Sequence, residues 1–278
     1  MTTGTPPDDV RQQMVTRFAQ VAEGYDEKLR FVRLTAARLV ERAALQPGEQ
    51  VLDAGTGTGH AALGAAAAVG PGGHVTGVDI SAAMLAHAHR KAQEAGLAHV
   101  DFREGDAQAP AFPDASVHVV VSSSVIFCLP DPLEALRNWR RVLTPGGRVL
   151  CSTFGPDNNV PLAGIFGRHL ATYGRQNPSP VSRSLSDAGC CQALLEAAGF
   201  TGVTVHTEQL GYYDRNAQEF WEETRHQNMR VVATLTPDQL ARFHRDLVTE
   251  VAGLVTDAGI WRSLQVNFCR GVNRWREE

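Results

Sequence analysis

The spacing of apolar positions along the chain changes character at Gln46. Before it, Asp8 to Ala22 and Lys28 to Leu45 carry apolar residues at helical intervals, in the second segment Phe31, Val32, Leu39 and Val40, and the turn Gln46-Pro47-Gly48 stops that helix. After it, short apolar runs alternate with helix-length segments. Val51 to Ala54, His74 to Asp79, Val100 to Arg103 and Val117 to Ser122 read as strands. Helices are expected over His60 to Val69 and over Ser81 to Ala95, the latter capped by Ser81 and ended by Gly96. In Asp131-Pro132-Leu133-Glu134 an N-cap acid precedes proline at the first helical position, so a helix runs from there to Leu143. Pro145-Gly146-Gly147 ends it, and Arg148 to Phe154 supplies a fifth strand. Strands separated by helix-length connections pair through crossovers, which implies a parallel, doubly wound α/β sheet covered on both faces.

The rhythm breaks over Gly155 to Leu185, a stretch rich in Gly, Pro and Asn and longer than an ordinary connection, which reads as a functional insertion. A helix over Ser186 to Ala198 and a strand near Val203 to Tyr213 follow. Two capped helices then open at Asn216-Ala217-Gln218-Glu219 and Thr236-Pro237-Asp238-Gln239, before a last strand near Trp261 to Val272.

Composition narrows the function classes. With 278 residues, 43% hydrophobic and 20% charged, the chain can bury a substantial core, and neither disorder nor a fibrous repeat fits. A net charge of −4 supplies no broad basic field for a phosphate backbone, which argues against a nucleic-acid partner, and Arg137, Arg140 and Arg141 read as a solvated helix face. Met1 to Val10 lacks the basic start and apolar stretch of a secretory signal, and no apolar window reaches the ~18 residues of a membrane span. The cysteines, Cys128, Cys151, Cys190, Cys191 and Cys269, are odd in number and show no CxxC spacing, so no disulfide framework or metal site is expected and a cytoplasmic setting fits best.

The candidate chemistry begins at Val51-Leu52-Asp53-Ala54-Gly55-Thr56-Gly57-Thr58-Gly59, a strand running through three alternating glycines into a helix, where backbone amides can approach a ligand closely. In a dinucleotide fingerprint the third glycine falls three residues after the second; here that position is His60, which disfavours a pyrophosphate. Asp79 ends the second strand about 20 residues beyond the glycines, where its two oxygens can accept from both hydroxyls of a ribose. An adenosine-type ligand is favoured. The plainer reading of Asp79 is a helix-capping acid ahead of Ser81.

Together with Gly77-Val78-Asp79-Ile80-Ser81, Gly105-Asp106-Ala107 and Arg141-Val142-Leu143-Thr144-Pro145-Gly146-Gly147, this loop resembles the class I S-adenosylmethionine-dependent methyltransferases. The resemblance implies a Rossmann-like seven-stranded sheet of order 3-2-1-4-5-7-6 with N-terminal helices and helical lid insertions. It divides the chain into an N-terminal cap (1–46), a cofactor-binding core (47–154) and a completion of the core (155–278), with lids at 155–185 and 214–258. It further implies S-adenosylmethionine as cofactor, with Gly55, Thr56 and Gly57 at the methionine end, Asp53 steadying the loop, and Asp79 on the ribose. Ile80 and Met84 would flank the adenine, Asp106 would take its exocyclic amine, Ala107 a ring nitrogen, and the Ser122 carbonyl the amino group. Met84 reads equally as core. Tyr25-Asp26 resembles a pair found ahead of the glycine loop in small-molecule members, where the tyrosine helps cover the cofactor; plain helix packing is the alternative.

Members that methylate amino groups of adenine, cytosine or glutamine carry an Asn/Asp-Pro-Pro-aromatic motif where this chain has Ser122-Ser123-Ser124-Val125. The chain instead resembles the branch of quinone C-methyltransferases and natural-product enzymes, although Glu27-Lys28-Leu29-Arg30 departs from the quinone members. Methyl transfer demands positioning and exclusion of water. The implied acceptor is a mid-sized, partly apolar organic molecule whose O or C atom is methylated, bound by Phe127, Tyr212 and Trp221, with Phe166, Tyr173 and Tyr213 as further lid aromatics. His226 is the leading base candidate among ten histidines; His118 reads as buried and packed, His206 as solvent-facing. Two alternatives stay open, a non-methylating reaction such as cyclisation on the same cofactor pocket, and a nicotinamide-dependent dehydrogenase.

Overall fold

The computed structural model describes residues 14–16, 18–176 and 184–274. Of the first expected helix, positions 14–16 and 18–21 are helical, and 8–13 lie outside the described residues. The second splits at Leu29 into α1 (Tyr25–Lys28) and α2 (Arg30–Ala43). Leu29 leaves helical geometry at φ −125° and ψ 74°, and its side chain is buried.

The core then runs β1 (Gln50–Ala54), α3 (His60–Val69), β2 (His74–Asp79), α4 (Ala82–Glu94), β3 (Val100–Glu104), β4 (Val117–Ser122), α5 (Pro132–Val142) and β5 (Leu143–Phe154). It continues with α6 (Leu162–Ala171), α7 (Ala188–Ala197), β6 (Thr201–Gln209), β7 (Tyr212–Asp214), α8 (Ala217–Gln227), α9 (Met229–Val232), α10 (Pro237–Ala252), β8 (Ile260–Arg262) and β9 (Gln265–Val272). Seven strands form one sheet in the order β3-β2-β1-β4-β5-β9-β6. That is the expected order once the inserted pair β7-β8 is set aside. The first five strands are parallel, and β9 runs antiparallel between β5 and β6.

Strand periodicity sorts the core onto two faces. Val51 packs with Leu39, Ala62, Val119 and Leu150 on one, while Leu52 packs with Val120, Leu136 and Trp139 on the other. The caps read from sequence form. Ser81 accepts from Met84 N, Asp131 from Glu134 N, Asn216 from Glu219 N, and Thr236 and Gln239 close a reciprocal capping box.

Three local expectations need correction. The strand near Val203 to Tyr213 and the one near Trp261 to Val272 are each two strands. At Leu264 the amide bonds the Gln209 side chain at 2.7 Å rather than a ladder carbonyl, and β7 and β8 turn away to pair with each other. A Cβ on Gly211 would lie 2.3 Å from the Trp261 ring, so glycine is what lets the chain cross there. β5 begins at Leu143, directly after α5, taking Pro145-Gly146-Gly147 into the strand. His118 is exposed rather than packed; the β4–β5 register shifts between Val117 and Val119, and its Nδ1 accepts from Gln50 N at 2.9 Å.

The two insertions do not lie loosely over the sheet. α6, α8 and α10 close on one another around Phe166, Phe220, Trp221, Phe243 and Leu247, a core of their own.

Candidate active site

At the carboxyl ends of β1, β2 and β4 the glycine loop, Asp79 and the segment after Ser122 meet at a cavity of about 610 Å³. The loop is held mainly by backbone. Gly55 N and Thr56 N both donate to Val78 O, at 2.8 and 2.9 Å, so β1 and β2 fix its entry. Gly55 has φ +78°, and a Cβ there would lie 2.6 Å from Val125; at Gly57, φ +54°, the space beside Cα is open. Glycine is therefore required at Gly55 by close packing and at Gly57 by conformation.

Two acids support the loop from beneath. Asp79 Oδ2 accepts from Gly57 N at 2.8 Å and Oδ1 from Ser81 N at 2.9 Å. Burial pushes its carboxyl up, against the pull of those amides and of Ile80 N. Three amides leave the carboxylate one acceptor position for a ligand hydroxyl. Asp53 is 1% exposed and accepts from Thr56 Oγ1 at 2.7 Å. Burial, reinforced by the nearby Asp79 charge, pushes it up to about 7 although the Thr56 bond opposes this.

Tyr25, Asp53, Gly55, Thr56 and Gly57 line the cavity, as do Asp79, Ile80, Met84, Asp106 and Ala107. Met84 is also core, 1% exposed against Val21 and Ala22. Asp106 Oδ1 accepts from Gln108 N, and the Trp139 indole donates to Ala107 O at 2.7 Å, which holds that loop to α5. Ser122 lies behind the wall, its hydroxyl donating to Ala54 O, and Ser123 and Ser124 face the cavity in its place.

Asp26, the partner of Tyr25 in the sequence motif, has a role that sequence reading missed. It accepts from Thr58 Oγ1 at 2.6 Å and Lys91 Nζ at 2.7 Å, and lies 3.1 Å from His60 Nε2. Partial burial raises its pKa, but the hydrogen bonds from His60, Lys91 and Thr58 outweigh this and hold it far below the usual carboxylate range. The N-terminal helices are thereby tied to the glycine loop.

At the far end the wall is Phe31, Phe127, Phe154, Met229 and Leu264, with Tyr212 and His226. Trp221 is not part of it. Its ring is 3% exposed, stacked 4.8 Å from His244 inside the helical core; Phe166 and Tyr173 pack against the same Phe243, and Tyr213 lies outside on Trp261. All of these were expected as lid aromatics, but an amphipathic helix offers one apolar stripe, and in α6, α8 and α10 that stripe faces the sister helices. Behind Tyr212 lies a charge network absent from the sequence reading. Arg30 pairs with Asp214 and Glu223, Tyr212 donates to Glu223, and Arg262 pairs with Asp214 at 2.9 Å. Burial raises the Tyr212 hydroxyl, Glu223 adding to this against the arginines.

His226 lines the cavity, and its Nε2 is buried without a partner among the described residues. Burial, then Lys28 and Arg225, lower its pKa, against a hydrogen bond to the Val21 backbone. Among the described residues no group of His, Cys, Asp or Glu is arranged to hold a metal ion, and no helix is long and apolar enough to cross a membrane.

Residues 45–182 match the family model described as a methyltransferase domain. Nocamycin O-methyltransferase of Saccharothrix syringae is 38% identical over 269 residues, covering 91% of this chain and 96% of that one. The chain is a class I S-adenosylmethionine-dependent methyltransferase. Aklanonic acid methyltransferase of Streptomyces sp. strain C5 is 35% identical over 140 residues, 50% of this chain and 64% of its own length. The YcgJ protein of Bacillus shares the fold at a TM-score of 0.59 and 21% identity, covering 87% of this methyltransferase and 99% of that chain. S-adenosylmethionine is the cofactor. The glycine loop and the half-buried Asp79, with acceptor capacity left over, fit the methionine and ribose of that molecule.

Proposed function

We propose that this methyltransferase acts on an O or C atom of a mid-sized, largely apolar natural-product-like molecule, and that His226 is its general base. When bound, S-adenosylmethionine supplies an electrophilic methyl carbon. The chain's own residues bind, orient and exclude water. Gly55, Thr56 and Gly57 present backbone to the methionine end, Asp79 accepts from the ribose, and Ile80, Met84, Asp106 and Ala107 frame the adenine. The apolar wall of Phe31, Phe127 and Phe154 keeps water from the nucleophile, which must lie about 3 to 3.5 Å from the methyl carbon. α8 and α9 bring His226 and Met229 over the cavity, in keeping with a lid role for the helical insertions.

The observation that carries the base assignment is the bare Nε2 of His226. The ring donates to the Val21 backbone, so the lone pair belongs to Nε2, and the lowered pKa keeps the ring neutral at pH 7. The natural-product acceptor is supported by the nocamycin and aklanonic acid relatives. The test is transfer of labelled methyl to a panel of hydroxylated polycyclic aromatics by wild type and His226→Gln between pH 5 and 9. Expected is a loss of turnover of about 100-fold or more with cofactor affinity unchanged, and disappearance of an acid limb whose midpoint lies below 6.5. Wild-type turnover in the variant removes His226 from the mechanism.

A further inference from the structure

Among the buried polar atoms of cavity-lining residues that have no hydrogen-bond partner among the described residues, Ser123 Oγ, Ser124 Oγ and Asn159 Oδ1 belong to segments that follow β4 and β5, apart from Asp53, His60 and His226. They stand at the ends of neighbouring strands. Ser123 and Ser124 directly follow β4, Asn159 lies in the connection after β5, and the two strands pair through Ser122 and Cys151. Ser124 and Asn159 both have left-handed backbone, φ +58° and +59°, which residues other than glycine seldom adopt.

That geometry is held by bonds from the backbone amides to neighbouring residues. Ser124 N donates to Ser152 Oγ at 2.9 Å. Asn159 N donates to Ser263 O at 2.8 Å, and Val160 N to Ser263 Oγ at 3.0 Å. The surrounding fold thus maintains left-handed backbone at two positions while leaving Ser124 Oγ and Asn159 Oδ1 unsatisfied, and such over-determined strain is concentrated at ligand clamps.

The donor set decides what the clamp takes. Asn159 Oδ1 accepts only, whereas a serine hydroxyl both donates and accepts. A carboxylate or phosphate would face that amide oxygen without a matching cation: the Arg262 guanidinium is committed to Asp214, Thr224 and the Phe220 carbonyl, and Arg230 is exposed at the surface. We propose, building on the methyltransferase reading above, that Ser123, Ser124 and Asn159 form an acceptor subsite for a neutral hydroxyl next to a ketone. The acceptor's hydroxyl donates to Asn159 and its ketone oxygen accepts from the serines. The adjoining Phe127 and Phe154 rings take the carbon skeleton.

The test uses the full chain with saturating S-adenosylhomocysteine, whose own binding is titrated first, and three probes of similar size. These are benzoin, which has the hydroxy-ketone; deoxybenzoin, which lacks the hydroxyl; and diphenylacetate, an anion. Calorimetry is expected to show benzoin at least tenfold tighter than deoxybenzoin. Ser124→Gly and Asn159→Gly tolerate the left-handed backbone and so retain the fold; Asn159→Gly is expected to shrink that ratio below threefold and Ser124→Gly to weaken both ketones about equally, by threefold or more, while S-adenosylhomocysteine affinity holds. A wild-type ratio below threefold, including binding of neither ketone, overturns the proposal, as does a hydroxyl preference that survives Asn159→Gly, ketone affinity that is unchanged in Ser124→Gly, or diphenylacetate as the tightest probe. Failure of S-adenosylhomocysteine to bind the wild type would instead strike the methyltransferase reading.

Discussion

The two ends of the cavity are built on different principles. The cofactor end comes from residues close in sequence, Asp53 to Gly59, Asp79 to Met84 and Asp106-Ala107, placed by strand-end backbone and by amides such as Gly57 N on Asp79. The end proposed above for the acceptor collects Phe31, Phe127, Asn159, Tyr212, His226 and Leu264 from six separate segments. It is held by side chains, above all the Arg30, Asp214, Glu223 and Arg262 network. Backbone hydrogen bonds of a parallel sheet constrain any sequence that adopts it, whereas a side-chain network constrains only this one. A cofactor common to a family suits the first construction and a particular acceptor the second.

The comparison is broken most severely at Asp214. Its side chain is 0% exposed and pairs with Arg262, itself 2% exposed. Asp214→Ala leaves that guanidinium buried without its counter-charge, an expected loss of about 3 to 5 kcal/mol by denaturant unfolding, with S-adenosylhomocysteine affinity in the surviving folded protein within about threefold of wild type. A loss under about 1 kcal/mol would mean that the acceptor end does not depend on its charge network.

Asp79→Ala is the converse experiment. Loss of its charge-assisted hydrogen bonding to the ribose should weaken S-adenosylhomocysteine roughly ten- to a hundredfold by calorimetry. An affinity within threefold of wild type would reduce Asp79 to a cap for Ser81 and Gly57.

Asp53 sharpens the contrast at smaller amplitude. Its carboxyl titrates at 3.8 in the ordinary case and at about 7 in the fold. The folded chain therefore holds the extra proton between those values, and stability from this group is full below about pH 4 and declines as pH rises to 7. Asp53→Asn removes that decline. The thermal midpoint of the variant relative to wild type should rise between pH 4 and 8; a difference independent of pH would show that Asp53 is not the titrating group.

The parallel sheet, the glycine loop, the capped helices and the acid Asp79 at the end of β2 were legible in the sequence because each depends on local chemistry: alternation of apolar runs, missing Cβ atoms, an oxygen at an N-cap; the strand order came from the family resemblance. Tyr25, Phe127, Tyr212 and His226 were also marked, and all four line the cavity. Trp221 and His118 were not placed correctly, since the direction in which an apolar helix stripe or a strand histidine faces depends on what packs opposite. Asp26 as a clamp on Thr58 and Lys91, the pairing of Arg30 with Asp214 across more than 180 residues, and the unsatisfied Ser123, Ser124 and Asn159 left no local pattern. Period and spacing along the chain determined the sheet and the seat of the cofactor. How the far end of the cavity closes was decided by tertiary structure, because its charge pairs and orphaned oxygens exist only once distant segments are brought within hydrogen-bond reach.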